Sequence, residues 1–488
     1  MLPRPNLPSK NLNQFDSILF KTNLEISGVS INAQSVKPGD LFIALSGAKT
    51  HGLNFISDAI ANGAVAVLSD KSVDVSIPSF VTENPRSLVG KISSWYYNQP
   101  FLNLLAVGIT GTNGKTTTVN LVKQMWQAVE KSTGVIGTIG IEIDGSAFPG
   151  IRTTPEACEL QAIAELMVQK HVTHLAMEVS SHALVQERVS GAFFKIAAFS
   201  NLTQDHLDFH GSMENYFAAK ARLFNDDLSQ QAVINIDDNY GKRLFEQVRE
   251  KAVSVSRVTP AGDWHYQKVV AKNNGFDVEI INKKGEVISA FFPLLGEHNL
   301  DNLILATAIA AASGLTVSEI STAIPKLQSV PGRLEQLHLG QGFNALVDYA
   351  HTPDAVERVL AAARGFTNGR VIAILGCGGD RDKGKRPLMG EALLTKSDVA
   401  IFTSDNPRNE SPDQILAEMV GNSTVSAPSK IISDRRTAID YAVSIAQDGD
   451  SVLLLGKGHE QGQEINGVIT PFNDVTEFSN AIRKAVKP

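Results

Sequence analysis

The 488-residue chain exceeds what one hydrophobic core usually supports, so more than one domain is expected. With 43% hydrophobic and 19% charged residues, it has an ordinary globular composition, which excludes disordered and fibrous classes. A formal net charge of −7 argues against a dedicated nucleic-acid binder, which normally carries a basic stripe.

In chain order, residues 1–10 carry three prolines and no apolar h-region, which predicts a cytoplasmic chain. Residues up to about 100 hold strand-like runs at 40–45 and 64–68 flanking a helical segment, the pattern of a small α/β domain. The apolar run 104–109 then enters a Gly/Thr-rich turn, as a buried parallel strand enters a phosphate loop. Val119, Val122, Met125, Trp126 and Val129 recur at helical spacing, predicting a helix over 116–130 packed on a sheet. Further buried-strand candidates at 174–179, 196–200 and 232–236 are separated by helix-sized intervals, which predicts a doubly wound parallel sheet. The Ala-rich run 303–312 falls well short of the roughly 18 residues that span a bilayer, so no membrane insertion is expected. After Pro331-Gly332, strands at 345–349, 371–375, 399–403 and 451–455 each end in a Gly- or Asp-containing turn. Polar groups at such carboxyl ends are the natural site candidates in an open α/β sheet. Cys158 and Cys377 stand in no CxxC or Cys/His spacing, so no zinc site is expected.

The strongest local signal is residues 108–118, GITGTNGKTTT. Its glycines let backbone amides approach phosphate oxygens, and the following helix N-terminus favours their charge. Lys115 is expected to reach the β/γ-phosphates and Thr116 to bind Mg²⁺. The general pattern wants glycine at position 109, where this chain has isoleucine, so the loop is a variant anchored by Gly111 and Gly114. No Asn-Lys-x-Asp guanine reader accompanies it, which points to ATP. Glu178, in MEVSSH at a strand end, suits the second oxygen ligand of Mg²⁺, with a helix-capping role for Glu178 or Ser180 as the alternative. Asp205, His206, Asp208 and His210 cluster after the next strand, either as metal ligands or as cap-and-turn chemistry. Lys220 falls in a helix where a surface lysine is the ordinary reading.

Taken together, GTNGKTT (111–117), MEVSSH (177–182), NLTQDHLD (201–208), GEHNLDN (296–302), PGRLE (331–335) and DYAHTPD (348–354) resemble the Mur ligase family across nearly the whole chain. The resemblance implies three domains: an N-terminal UDP-substrate domain (1–99), a central P-loop ATPase domain (100–331) and a Rossmann-like C-terminal amino-acid domain (332–488). It implies that Gly111, Thr112, Asn113, Gly114, Lys115, Thr116, Thr117, Asn299, Arg333 and Asp348 bind ATP. It further implies that His206 and a carbamylated Lys220 hold a second Mg²⁺, with Lys115, Glu178, His206 and Lys220 as the catalytic set.

The segments GCGGDRDKGKRP (376–387), DNPR (405–408) and GKGHE (456–460) resemble the family member that adds the third residue of the cell-wall stem peptide. That form implies meso-diaminopimelate as the amino acid, bound by Arg381, Asp405, Asn406, Pro407, Arg408, Gly456 and Glu460. Arginine forks match carboxylates bidentately, and Asp405 and Glu460 offer oxygens to ammonium groups. Lys383, Lys385 and Arg386 are left as electrostatic attraction or structural pairs. The co-substrate implied is UDP-N-acetylmuramoyl-L-alanyl-D-glutamate, contacted by Thr153, Thr154, Ser180, Gln186 and Arg188. Where the family usually carries Asp-Ser-Arg before a Pro-Gly-Asp turn, this chain has Asn32-Ala33-Gln34. Ile31, Ala33, Ala48, Lys49 and Thr50 occupy matching positions and are expected to contact UDP through backbone groups. The implied enzyme is a cytoplasmic monomer that activates the D-glutamyl carboxylate as an acyl phosphate. Rival readings are the same ligase using L-lysine, a folylpolyglutamate synthase-like ligase, and a nucleotide-binding regulatory protein without turnover.

Overall fold

A computed structural model describes residues 4–47, 50–150, 152–272 and 274–486, with the side chain of Asp208 outside that description. Ala48 and Lys49 therefore lie outside the described residues. Packing divides the chain into two compact units. One holds the residues up to Val270 with Asp277–Phe291 and Leu300–Leu327; the other holds Ala271–Phe276, Phe292–Asn299 and the residues from Gln328 onward.

The first unit opens with a four-stranded parallel sheet in sequence order, Gly28–Ser30, Asp40–Ala44, Ala66–Ser69 and Ser79–Val81. Side chains on a strand alternate between faces, so Leu41 and Ile43 join one core with Val89 and Ile92, while Phe42 and Ala44 join another with Ala59 and Val67. Ala157 and Cys158, in the first turn of helix Ala157–Gln169, complete the former core.

Within the eleven-stranded sheet that follows, the parallel block runs Thr133–Gly137, His174–Glu178, Leu105–Thr110, Phe194–Phe199, Ser229–Asn235 and Ala252–Ser256. The first of these strands in the chain, Leu105–Thr110, sits between two later ones, His174–Glu178 and Phe194–Phe199. Such a switch point opens a crevice at the strands' carboxyl ends, where residues 111–114, Glu178 and Asn201 lie. The expected amphipathic helix is Lys115–Gln127, with Val119, Val122, Met125 and Trp126 buried. It stops three residues short of the expected Glu130, which adopts φ 59° outside the helical region.

The second unit carries a six-stranded sheet ordered Glu335–Leu337, Asn344–Asp348, Ser451–Leu455, Val371–Leu375, Val399–Phe402 and Lys430–Ile431, parallel except for its first member. The near-continuous apolar strands are explained by helices on both faces. Ala373, Leu375, Leu453 and Leu455 face helices Pro353–Phe366, Lys385–Lys396 and Pro412–Val420, while Ile372, Ile374, Val452 and Leu454 face Arg435–Ile445 and Asp474–Ala485. Each fully buried Leu or Ile contributes about 1.5–3 kcal/mol, which fixes the register of these strands and hence of the loops they launch.

Candidate functional site

In the first unit, Gly111 (φ 145°) and Gly114 (φ 84°) take conformations that L side chains rarely adopt, and a Cβ at either would overlap Ser200 Oγ or Asn302 Oδ1. The loop is pinned from outside: Asn113 N donates to Asn201 Oδ1 (3.0 Å), Ser200 Oγ donates to Asn113 O (2.6 Å) and Thr112 N to Asn201 O (2.9 Å). Lys115 Nζ folds back onto the carbonyls of Gly111 (3.0 Å) and Thr112 (2.9 Å), so the cation stands at the loop's centre. Thr117, behind it in the first helical turn, is buried.

Glu178 is 1% exposed and holds its carboxylate with neutral donors: Thr116 Oγ1 (2.9 Å), Thr138 N (2.8 Å) and Thr138 Oγ1 (3.2 Å). Among the described residues no cation lies within ion-pair distance of it. A buried carboxylate touching the P-loop threonine hydroxyl, with no cation of its own, fits a hard divalent ion. Thr138 was not legible in sequence, because it lies in the turn after Thr133–Gly137 and outside any motif. Ser180 is the helix cap, accepting from Ala183 N at 3.2 Å.

Lys220, expected on a helix, is on Met213–Ala221 but is no surface lysine: it is 1% exposed, donates to Gly111 O (2.7 Å) and lies over the Tyr216 ring. Burial first, then the neighbouring Lys115 ammonium, push it well below the ordinary lysine range, with Asp205 opposing. His206 stands in the left-handed region (φ 52°), half exposed, its Nε2 3.4 Å from Asp205 Oδ2 and its ring beside His182 and Tyr216. His210 is buried and turned to Ser181 Oγ (3.0 Å), a structural contact. Among the described residues no group of three His, Cys, Asp or Glu side chains converges on one point.

Thr153 Oγ1 pairs with Thr138 Oγ1 (3.1 Å), and the buried Thr154 donates to Glu178 O (2.9 Å) and accepts from Ser180 N (3.1 Å). Arg188 donates to Thr154 O (3.3 Å) and Gln186 Oε1 (2.5 Å) and pairs with Glu156 (3.0 Å), which Arg86 also holds (2.7 Å). These five expected substrate residues thus form one connected set beside Glu178. Ile31, Ala33 and Thr50 line a cavity of about 400 Å³ in the same unit, together with Asn32, Gln34 and Arg152.

Asn299, Arg333 and Asp348 belong to the second unit. Asn299 Nδ2 donates to Leu295 O (2.7 Å), Arg333 stacks on Tyr349, and Asp348 accepts from Leu334 N (2.7 Å) and Ala350 N (2.8 Å). Burial raises the Asp348 carboxyl above its usual range against the pull of Arg333.

In that unit the loops after Leu375, Phe402 and Leu455 bring the expected amino-acid residues together. Gly378 separates the two arginines: a Cβ there would stand 2.9 Å from Arg408 Nη1 and 3.7 Å from Arg381 Cγ. Arg408, at φ 52°, is fixed by Arg408 Nη1 to Gly379 O (2.9 Å), by Asn466 N to Arg408 O (2.7 Å) and by the Glu464 carboxylate (3.3 Å). Arg381 is exposed and, among the described residues, is tied locally, to Asp380 O (3.2 Å). Asp405 and Pro407 are buried, and Gly456 (φ 108°) has no room for a side chain, its Cβ position lying 2.7 Å from Asp405 Oδ2. Burial raises Asp405 above the usual carboxylate range, while Lys457 and Arg435 pull it back. Asn406 Nδ2 donates to Glu460 Oε2 (2.8 Å). The basic run resolves into structural pairs: Arg386, fully enclosed, binds Glu410 (2.8 Å) and Glu418 (2.5 Å), Lys383 binds Glu410 (3.2 Å), and Lys385 donates to His351 O (3.0 Å).

Comparison with known proteins agrees along the chain. It matches the Mur ligase family, catalytic domain, over residues 25–92, the Mur ligase middle domain over 109–310, and the Mur ligase glutamate ligase domain over 332–458. It is 44% identical over 471 residues to the UDP-N-acetylmuramoyl-L-alanyl-D-glutamate-2,6-diaminopimelate ligase of Streptomyces coelicolor, covering 94% of this chain and 93% of that one. To the ligase of the same name from Geobacillus thermodenitrificans it is 39% identical over 470 residues, covering 95% and 96%. A solved structure of a ligase of that name superposes with TM-score 0.74 at 34% identity, covering 99% of this chain and 100% of that chain. The chain belongs to the Mur ligase family and has its three-domain architecture.

Proposed function

We propose that the protein is an ATP-dependent ligase that joins meso-diaminopimelate to UDP-N-acetylmuramoyl-L-alanyl-D-glutamate in peptidoglycan synthesis, acting as a cytoplasmic monomer. Residues 1–99, 100–331 and 332–488 serve as its UDP-substrate, ATP and amino-acid domains. The observation that supports the choice of amino acid is the side-chain cluster at the strand ends of the second unit, where Arg381 and Arg408 flank Gly378 and the carboxylates of Asp405 and Glu460 gather around Lys457. Two cations and two anions complement the second amino-acid end of meso-diaminopimelate, which bears both a carboxylate and an ammonium; the side-chain end of L-lysine bears an ammonium alone.

The D-glutamyl γ-carboxylate attacks the γ-phosphorus of ATP, the bond to the β-phosphate oxygen breaks, and ADP leaves. The neutral amine of diaminopimelate then attacks the acyl carbon; the C–O bond breaks, phosphate leaves and the amine proton is lost. Lys115 and the amides of residues 111–117 stabilise charge on the transferring group, and the remaining contribution is positioning. Asn299, Arg333 and Asp348 complete the nucleotide contacts. Thr116 and Glu178 would hold one Mg²⁺, and His206 with Lys220 as its carbamate a second; bound there, the ions would offset phosphate charge. The depressed basicity of Lys220 supports this role, since carbamylation requires a neutral amine. Thr153, Thr154, Ser180, Gln186 and Arg188 take the muramyl dipeptide, and Ile31, Ala33, Ala48, Lys49 and Thr50 its UDP end. Asn406, Pro407 and Gly456 complete the amino-acid pocket.

The test is phosphate release from ATP, Mg²⁺ and the UDP-linked dipeptide with meso-diaminopimelate, with L-lysine and with neither. Release that depends on meso-diaminopimelate is expected. A preference for lysine sinks the substrate assignment, and binding of all components without turnover favours a regulatory protein.

A further inference from the structure

The reading of the amino-acid pocket leaves one buried cation without a role. Lys457 follows Gly456 at the end of strand Ser451–Leu455, and its side chain is fully enclosed. Lysine is almost never fully buried unless paired. Its Nζ lies 3.0 Å from Glu460 Oε2, 3.1 Å from Asn406 Oδ1 and 3.9 Å from Asp405 Oδ1, touching three of the residues assigned to the amino acid.

An ammonium only donates, so it fixes which end of the Asn406 amide faces it. Oδ1 accepts from Lys457 and from Glu464 N (3.0 Å), and Nδ2 is thereby turned onto Glu460 Oε2 at 2.8 Å. Both hydrogen bonds to the Glu460 carboxylate fall on Oε2, and among the described residues none falls on Oε1. The strand ends have a separate bolt: Arg435 pairs with Asp474 (2.6 Å) and donates to Leu455 O (2.9 Å). The strand ends are thus tied by Arg435 as well as by Lys457.

We propose that Lys457 is a positioning residue for amino-acid selection. It locks the Asn406 amide and the Glu460 carboxylate in one orientation, offsets the charge of Asp405, and so presents Glu460 Oε1 to the ammonium of the incoming amino acid. Being enclosed, it acts through these neighbours and not by contact. This rests on the proposed function of the pocket.

The experiment uses the full chain with Lys457→Met, Glu460→Gln and the double variant, measuring KM for meso-diaminopimelate, ATP and the UDP-linked dipeptide. Lys457→Met is expected to raise KM for diaminopimelate roughly tenfold or more, with the other two within about twofold, and to lower the melting transition because Glu460 and Asp405 lose their buried cation. The double variant is expected to lose clearly less than the two single losses combined, because the lysine acts in large part through that carboxylate. Additive losses, equal shifts in all three KM values, or an unchanged diaminopimelate KM overturn the proposal. Should Lys457→Met fail to fold, Lys457→Gln, which keeps a donor without the charge, carries the same readouts. A wild-type enzyme whose turnover ignores diaminopimelate overturns the pocket assignment and this inference with it.

Discussion

The phosphate loop and the amino-acid pocket handle buried charge in opposite ways. Around the loop, Glu178 is held by hydroxyls and an amide, and Lys220 by a carbonyl and an aromatic ring. Neither has an oppositely charged partner within ion-pair distance among the described residues. In the pocket, buried charges are paired inside the protein: Arg435 with Asp474, Arg386 with Glu410, Lys457 with Glu460. Uncompensated charge is costly and is retained where a ligand completes it. Internally paired charge instead sets geometry, and it surrounds Arg408, itself held by Gly379 O and the Glu464 carboxylate, with a fixed frame for the proposed amino-acid contact.

The contrast breaks most visibly at Lys115. Lys115→Met removes the cation at the loop's centre and is expected to lower phosphate release roughly 10³-fold, about 4 kcal/mol of transition-state stabilisation. A loss below tenfold in steady-state turnover would mean that the loop does not act on the transferring group. Arg408→Ala tests the other region. It should cost roughly 30- to 100-fold in kcat/KM for meso-diaminopimelate while leaving KM for ATP unchanged, since one charge-assisted fork is removed. Equal losses toward both ligands would dissolve the division of labour between the two regions.

A smaller effect tests the internal pairing itself. Hydrogen bonds from Arg386 hold Glu410 down at about 2 from an ordinary 4.5. Because the folded-state value is depressed, its stabilising contribution is fully present above pH 4.5 and is lost as pH falls toward 2. Glu410→Gln should therefore be less stable than the wild type at pH 7, with the difference shrinking through that window in denaturant titrations. A difference independent of pH would assign the effect to packing.

The sequence is informative about these regions to different degrees, for physical reasons. Continuous apolar runs and the glycine-rich turn are local, so strands 371–375 and 451–455 are as expected and the loop stands at its switch point. Partnerships across the fold are not local. That Thr138 shares Glu178, that Glu410 absorbs a basic run 24 residues upstream, and that Lys457 orients Asn406 depend on which strand ends the topology brings together. Lys220 shows the limit most clearly: on a helix of mixed polarity it reads as surface, and only the fold turns it into the loop.

The smallest expected effect concerns Asn32-Ala33-Gln34, the one segment where the chain departs from the family's charged triplet. Asn32 Oδ1 accepts from Gln34 N (3.1 Å), so the turn keeps its cap although the charges are gone, and Asn62 Nδ2 holds Ala33 O (2.9 Å). The backbone that lines the cavity is thus independent of the missing side chains. Gln34 is exposed, where an added cation is worth less than about 1 kcal/mol against an anionic ligand in screening salt. Gln34→Arg should accordingly lower KM for the UDP-linked dipeptide by less than about fivefold, more at low ionic strength than at high, with diaminopimelate and ATP unaffected. A larger, salt-insensitive gain would show that backbone groups alone do not carry this contact, and that this cavity, like the phosphate loop, depends on charge left for a ligand to complete.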